Sequence, residues 1–312
     1  MRIIQHWQGL GTRDQGAAVA LGNFDGVHRG HLAVLDLARA AAQAANAPLG
    51  VITFEPHPRQ YFAPDAPPFR LMNAESRAHR LEKLGVAMLY ELPFSAALVG
   101  MEAGAFARVV LAAGLGVRHV VVGADFRFGK GRAGSAADLV ALGNACGFAT
   151  TIADLVAESG TEISSTSIRA ALADGRPRDA AAMLGHWHRI DGAVIHGEKR
   201  GRELGFPTAN MALAGLHQPR IGVYAVKVDV LTGPQQGSYL GAASLGTRPM
   251  FGENLANLET FLFDFSGDLY GRHLSVALVD YLRPEMKFDG LPALIAQMQA
   301  DCTRARALLA VL

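Results

Sequence analysis

The hydrophobic pattern changes period near residue 184, so this chain cannot fold as one repeating architecture. Upstream, short apolar runs alternate with helix-spaced segments: Val19 to Leu21, a helix through Leu32, Val34, Leu35, Leu37 and Ala38, then Leu49 to Phe54. A helix from about Ala74 to Leu84, the run Ala87 to Leu92, a further helix and the run His119 to Val122 follow. Such alternation predicts an α/β fold with a mainly parallel sheet, its ligands beyond the carboxyl ends of the strands. Downstream, glycine punctuates short alternating strands at Gly192 to His196, Val223 to Val230, Gly241 to Leu245, Glu259 to Phe265 and Leu274 to Leu282, which predicts an antiparallel barrel. The breaker cluster at Asp174 and a helical piece ending at Gly185 mark the joint. The expected domains are therefore 1–183 and 184–312. A last helix, with Leu291, Leu294, Ile295, Met298, Cys302, Ala305 and Leu309 as one apolar stripe, should pack on the barrel.

With 29 basic residues against 28 acidic ones, no global field draws the protein to nucleic acid or to an anionic membrane. Anion recognition must then be local. The two cysteines are too few for a disulfide framework. No signal-peptide pattern or bilayer-length apolar run is apparent, so the cytoplasm is the expected location. Small molecules are the expected partners.

The stretch Leu21 to His31, LGNFDGVHRGH, places two imidazoles three residues apart where an apolar strand turns into a helix. At a helix N-terminus the first amides lack partners and the dipole favours anions, so His28 and His31 can join backbone N–H groups in holding phosphate oxygens. They should share one helical face, with Gly30 leaving room for a ligand. Nucleotidyl transfer suits such a site, because the protein mainly positions groups and stabilises developing charge. Three further segments carry chemistry in this half. Two prolines hold His57 on a rigid turn in TFEPHP; Asp125 sits in GADFRFGK just past a strand, with Phe126 and Phe128 expected to pack; Arg169 follows the hydroxyls of Ser164, Ser165 and Thr166 in ISSTSIR.

In the second half, HGEKRGRELGFPTAN carries Lys199, Arg200 and Arg202 in a glycine-bearing loop that leads into Pro207, Thr208 and Asn210. Spaced by two in extended chain, Thr208 and Asn210 present a hydroxyl and an amide carbonyl to one side, hard oxygens suited to magnesium carried with nucleotide phosphates. In ETFLFDF the same rule puts Glu259 on a face with Phe261, Phe263 and Phe265. If that face is buried, desolvation raises the carboxyl pKa toward that of a general base; if exposed, Glu259 is a surface charge. Asp264, facing the other way, reads as structural.

These motifs, in order along nearly the whole chain, resemble the bacterial bifunctional riboflavin kinase/FAD synthetase family. GNFDGVHRGH, TFEPHP, GADFRFG and ISSTSIR match its FMN adenylyltransferase half, a Rossmann-like nucleotidylyltransferase, and GRELGFPTAN with ETFLFDF matches its riboflavin kinase barrel. The resemblance implies that His28 and His31 act on the triphosphate, with Asn23, Gly30, Ser164, Ser165, Thr166 and Arg169 binding ATP and His57 and Asp125 contacting flavin or nucleotide. It implies that Glu259 takes the ribityl hydroxyl proton, that Gly201, Arg202, Pro207 and Thr208 bind ATP, and that Thr208 and Asn210 hold Mg2+. Arg283 is a candidate flavin contact, with a structural salt bridge as its other reading. SLGTRPMFG matches a family loop but departs at Ser244 and Met250. The expected activities are phosphorylation of riboflavin to FMN and adenylylation of FMN to FAD, with ATP and Mg2+ serving both. Two other readings are a nucleotidylyltransferase with a flavin-sensing barrel and a non-catalytic flavin-binding regulator. Intact Pro207 to Asn210 and Glu259 argue against the first, and intact His28, His31 and Arg169 against the second.

Overall fold

A computed structural model describes residues 1–154, 157–158, 161–196, 205–213, 215–250 and 253–312. The chain divides into two compact units, one of Met1–Ala66 with Ala74–Ser164 and the other of Pro67–Asn73 with Ser165–Leu312.

In the first unit six strands form one sheet: β1 (Arg2–Ile4), β2 (Ala18–Leu21), β3 (Leu49–Glu55), β4 (Met88–Pro93), β5 (His119–Gly123) and β6 (Ala149–Ala153), in the order β1-β4-β3-β2-β5-β6. Every pairing is parallel. β2 is buried along its whole length, as a strand covered on both faces must be. Its inward residues Val19 and Leu21 join Ile52, Tyr90, Val120 and Phe106 in the core. The edge strands β1 and β6 were not apparent in the sequence, β1 because three residues carry no period and β6 because Thr150, Thr151 and an exposed Ile152 blur the apolar run. The helix after β2 runs Arg29–Ala44 and buries Leu35, Ala38 and Ala42, whereas Leu37 points to solvent.

The second unit carries an antiparallel sheet of β7 (Arg189–Ala193), β8 (Ala209–Ala212), β9 (Gly222–Val230), β10 (Gly237–Met250), β11 (Glu253–Leu262) and β12 (His273–Arg283), in the order β7-β12-β9-β10-β11-β8. A single bridge between Ile195 and Asn210, with Ile195 N–H donating to the Asn210 carbonyl at 2.9 Å, brings the two edges together into a nearly closed barrel. Its interior holds Met211, Tyr224, Val226, Leu245, Leu258 and Leu278. β10 is far longer than the expected Gly241 to Leu245: the segment from Ser244 read as a loop is strand as far as Met250, paired along its length with β11. Pairing with β11 holds this segment extended in spite of its glycine and proline. The last helix spans Leu291–Leu309 and buries Ala305 and Leu309 against Val223, Phe263 and Leu282, with Cys302 at the margin. Leu291, expected in the packed stripe, is exposed. Helices Ser165–Ala173 and Pro177–Leu184 pack on each other through Ile168, Leu172, Ala180 and Leu184.

Candidate functional sites

β2 delivers the chain into the turn that begins at Gly22, where Phe24 and Val27 both adopt positive φ, 52° and 44°. For a β-branched residue this costs about 1–3 kcal/mol, sustained here because both side chains are buried in the first unit. The bend leaves His28 extended, φ −77° and ψ 172°, as the cap of the following helix, not a member of its face as expected. Its Nδ1 accepts the His31 backbone N–H at 3.3 Å, satisfying one of the unpartnered amides of the first turn. That bond needs an unprotonated Nδ1, so the His28 proton sits on Nε2. The rings of His28 and His31 stack with centroids 3.7 Å apart and planes 17° from parallel. Burial, and the neighbouring His28, push the His31 pKa well below its ordinary value. The pair at this helix start is therefore not two cations, since His31 is held neutral.

A Cβ at Gly30 would lie 3.1 Å from the His28 ring and 3.4 Å from the Ile163 carbonyl, so the space this glycine leaves is filled by the imidazole and by the segment entering Ser164. Asn23 is exposed, and its carbonyl accepts the Thr53 hydroxyl at 3.0 Å. His57 is buried as the cap of the helix Pro58–Phe62, its Nδ1 accepting the Arg59 N–H at 3.1 Å. Asp125 is exposed on the turn after β5. Phe128 packs in the core against Phe106, and Phe126 stacks on it, so both rings are packing residues as expected.

Two features near His57 carried no sequence signal. Arg77, 1% exposed, donates through Nη2 to Glu55 at 3.0 Å and to Glu91 at 2.6 Å, pinning the strand end that leads into His57. Tyr61, Phe62 and Phe94 pack edge to face at 5.4 to 5.8 Å, and Phe62 is 65% exposed. An exposed aromatic group of this kind is a stacking platform for a flat ring. It joins residues from two separate segments, which no local pattern reveals.

In the second unit the helix Ser165–Ala173 opens on the hydroxyl segment. Arg169 donates to Thr166 Oγ1 and to the Phe69 carbonyl, both at 3.4 Å, and lies 5.8 Å from the Phe69 ring. Its own carbonyl accepts from His217 Nε2 at 3.0 Å.

On the barrel, Asn210 of β8 stands directly opposite Glu259 of β11, and Ser244 of β10 faces Glu259 from the other side. Asn210 is buried and its Nδ2 reaches the Thr208 carbonyl at 3.4 Å; Thr208 is half-buried just outside the strand. Asn257 donates through Nδ2 to Asn210 Oδ1 at 3.0 Å and to Glu259 Oε1 at 3.4 Å. The period-two rule that pairs Thr208 with Asn210 also pairs Asn257 with Glu259, so this residue was within reach of the sequence and was missed. Glu259 is half-buried. Of the three rings expected beside it only Phe261 shares its strand, because β11 ends at Leu262 and Asp264 turns the chain with φ 55°. Phe261 stays with Glu259 and meets Phe206 at 5.3 Å, Phe263 packs under the last helix, and Phe265 joins the barrel interior. Asp264 is held by Arg306 in a two-bond pair, which pulls its pKa down. Arg283 donates through Nε and Nη2 to Asp301 at 2.7 to 3.0 Å, the salt bridge its sequence left open, though with a more distant partner than the adjacent glutamate. Pro207 is exposed; Gly201 and Arg202, with Lys199 and Arg200, lie outside the described residues.

A parallel α/β unit with paired imidazoles at a helix start, and a barrel with a carboxylate beside two amides, fit the class of two-domain transferases of phosphate-bearing groups. Comparison with known families makes this specific. Residues 11–167 match the model for FAD synthetase and residues 184–309 that for riboflavin kinase. The bifunctional riboflavin kinase/FMN adenylyltransferase of Pseudomonas fluorescens is 40% identical over 99% of this chain and 98% of its own. That of Escherichia coli K12 is 39% identical over 98% and 97%. A solved structure described as a macrolide-efflux protein from Streptococcus pneumoniae, 33% identical, superposes with a TM-score of 0.84 over 96% of each chain. Among the described residues no helix is long and apolar enough to cross a membrane. The chain belongs to the bifunctional riboflavin kinase/FMN adenylyltransferase family.

Proposed function

We propose how this chain's residues divide the work of the two reactions that define its family. It phosphorylates riboflavin to FMN and adenylylates FMN to FAD, with ATP as donor in both. In the first reaction the ribityl 5′-hydroxyl attacks the γ-phosphorus of ATP, its proton passes to Glu259, and ADP leaves. The observation that carries this assignment is the pairing of Glu259 with Asn210 across adjacent strands, a carboxylate beside a neutral oxygen donor. Asn210 and Thr208 offer an amide and a hydroxyl oxygen, a donor set that fits a hard cation arriving with nucleotide phosphates. When bound, Mg2+ would offset polyphosphate charge. Gly201, Arg202, Pro207 and Thr208 are assigned to ATP, and Arg283 to the flavin edge while Asp301 fixes its guanidinium. The kinase is assigned to 184–312 and the adenylyltransferase to 1–183.

In the second reaction an FMN phosphate oxygen attacks the α-phosphorus of ATP and pyrophosphate leaves. His28 and the neutral His31 bind and orient phosphate oxygens through ring N–H groups, and Asn23 and Gly30 are assigned to ATP beside them. Ser164, Ser165, Thr166 and Arg169 are assigned to the triphosphate on their sequence motif. His57 and Asp125 are assigned to flavin or nucleotide, with Phe62 and Phe94 as the platform for the isoalloxazine ring. The cytoplasm is the proposed location, and small molecules the proposed partners.

Incubating the protein with riboflavin, ATP and Mg2+ and resolving flavins by chromatography should show FMN first and FAD after it. FAD from supplied FMN with no FMN from riboflavin would refute the barrel assignment.

A further inference from the structure

We propose that Asn257 is a positioning residue of the phosphoryl-transfer site, holding the oxygen of Asn210 and the carboxylate of Glu259 in fixed relation; this rests on the roles assigned above to those two residues. Asn257 stands two residues before Glu259 on β11 and diagonal to Asn210 on β8, within reach of both. Its Nδ2 carries two hydrogens and meets two acceptors, Asn210 Oδ1 at 3.0 Å and Glu259 Oε1 at 3.4 Å. Turning the amide over would set its oxygen against two oxygens, so the acceptors themselves fix its orientation.

The residue is 5% exposed, and its Oδ1 is enclosed with no hydrogen-bond partner among the described residues. An unpaired buried acceptor is a stability cost, and an apolar side chain of the same size would avoid it. What Asn257 supplies instead is a forked donor. One hydrogen takes one lone pair of Asn210 Oδ1, leaving the other for a cation, while the far end of the Asn210 amide is turned to the Thr208 carbonyl at 3.4 Å. The second hydrogen keeps the Glu259 carboxylate beside that oxygen. Partners one bond removed from a metal-binding oxygen act in this way, by orienting it.

Full-length Asn257→Leu and Asn257→Ser test this. Leu keeps the volume without a donor, and Ser removes the fork at little steric cost. Three quantities are measured: riboflavin phosphorylation as kcat and KM, the denaturant unfolding midpoint of the second unit as the check on its folding, and the increment in Mn2+ uptake that riboflavin with ADP produces, read without turnover from the free-Mn2+ electron paramagnetic resonance signal. The expected result is a roughly 10- to 100-fold loss in kinase kcat, a comparable weakening of Mn2+ uptake, little change in riboflavin KM and an unfolding midpoint close to the parent's. Kinase rate and Mn2+ uptake at parent levels in either variant would overturn the proposal. So would a kinase loss that only follows a lowered unfolding midpoint in both variants, the signature of a residue that only supports folding. Asn210→Ala and Glu259→Gln, assayed alongside, test the underlying assignment: kinase activity surviving in those two removes the site itself, whereas survival only in the Asn257 variants removes Asn257 from it.

Discussion

Single side chains separate the two chemistries. One His28 ring nitrogen is spent as an acceptor, and burial disfavours the charged form of His31. Replacing both by alanine should cut FAD formation from FMN by at least about 100-fold while leaving FMN formation from riboflavin intact, measured by single-turnover assays with each flavin. Glu259→Gln should do the converse: FMN formation falls by about 100-fold or more and adenylylation persists. Equal loss of both activities in Glu259→Gln would mean that the sites are not separate. The residue identities were legible in the sequence, since both motifs are contiguous strings. Their geometry was not. Whether His28 caps the helix or lies on it depends on the positive φ of Val27, which no residue preference would suggest for a buried β-branched side chain.

Elements add constraints that depend on packing. The last helix is tied to β12 by Arg283 and Asp301, whose side chains are 16% and 9% exposed. Asp301→Ala leaves the guanidinium without its carboxylate and should destabilise the second unit by about 3 kcal/mol in denaturant unfolding, because breaking a largely buried pair strands a charge. An unchanged midpoint would reduce this pair to a surface contact. The helix itself was readable from its apolar spacing. The true length of β10 was not, because pairing with β11 overrides what Gly241, Gly246 and Pro249 suggest one residue at a time. Likewise the aromatic face assigned to Glu259 assumed that strand geometry continued to Phe265, and it fails where Asp264 turns.

The chain behaves as two units, and each carries a separable stability. In the second, His188 is 2% exposed and burial depresses its pKa to about 3, with His217 and His186 adding repulsion. A histidine whose folded pKa lies below its unfolded value contributes least penalty above pH 6.5 and progressively destabilises the fold as pH falls toward 3, since the unfolded chain binds the proton more readily. The loss at pH 5 should be about 2 kcal/mol, and His188→Leu should flatten that slope in chemical denaturation between pH 6.5 and 5. A fragment of residues 184–312 should phosphorylate riboflavin. One beginning at Ser165 should do so with a higher unfolding midpoint, because Ile168, Leu172 and Leu184 each contribute roughly 1.5–3 kcal/mol when buried. An inactive, unfolded shorter fragment beside an active longer one would move the functional boundary upstream.

The sequence by itself determined the two architectures and singled out the candidate residues, because hydrophobic period and contiguous motifs are local properties written along the chain. Only the tertiary structure decided which side chains meet. The stacking of two imidazoles, the Arg77 clamp on the His57 turn, the packing of the exposed Phe62 ring on Phe94, and the fork of Asn257 between Asn210 and Glu259 all join segments, or bend the backbone, in ways set by the packing of whole units. Strand register is the physical reason for the last of these: a shift of one residue between β8 and β11 would turn Asn210 away from Glu259, and nothing in either segment alone fixes that register.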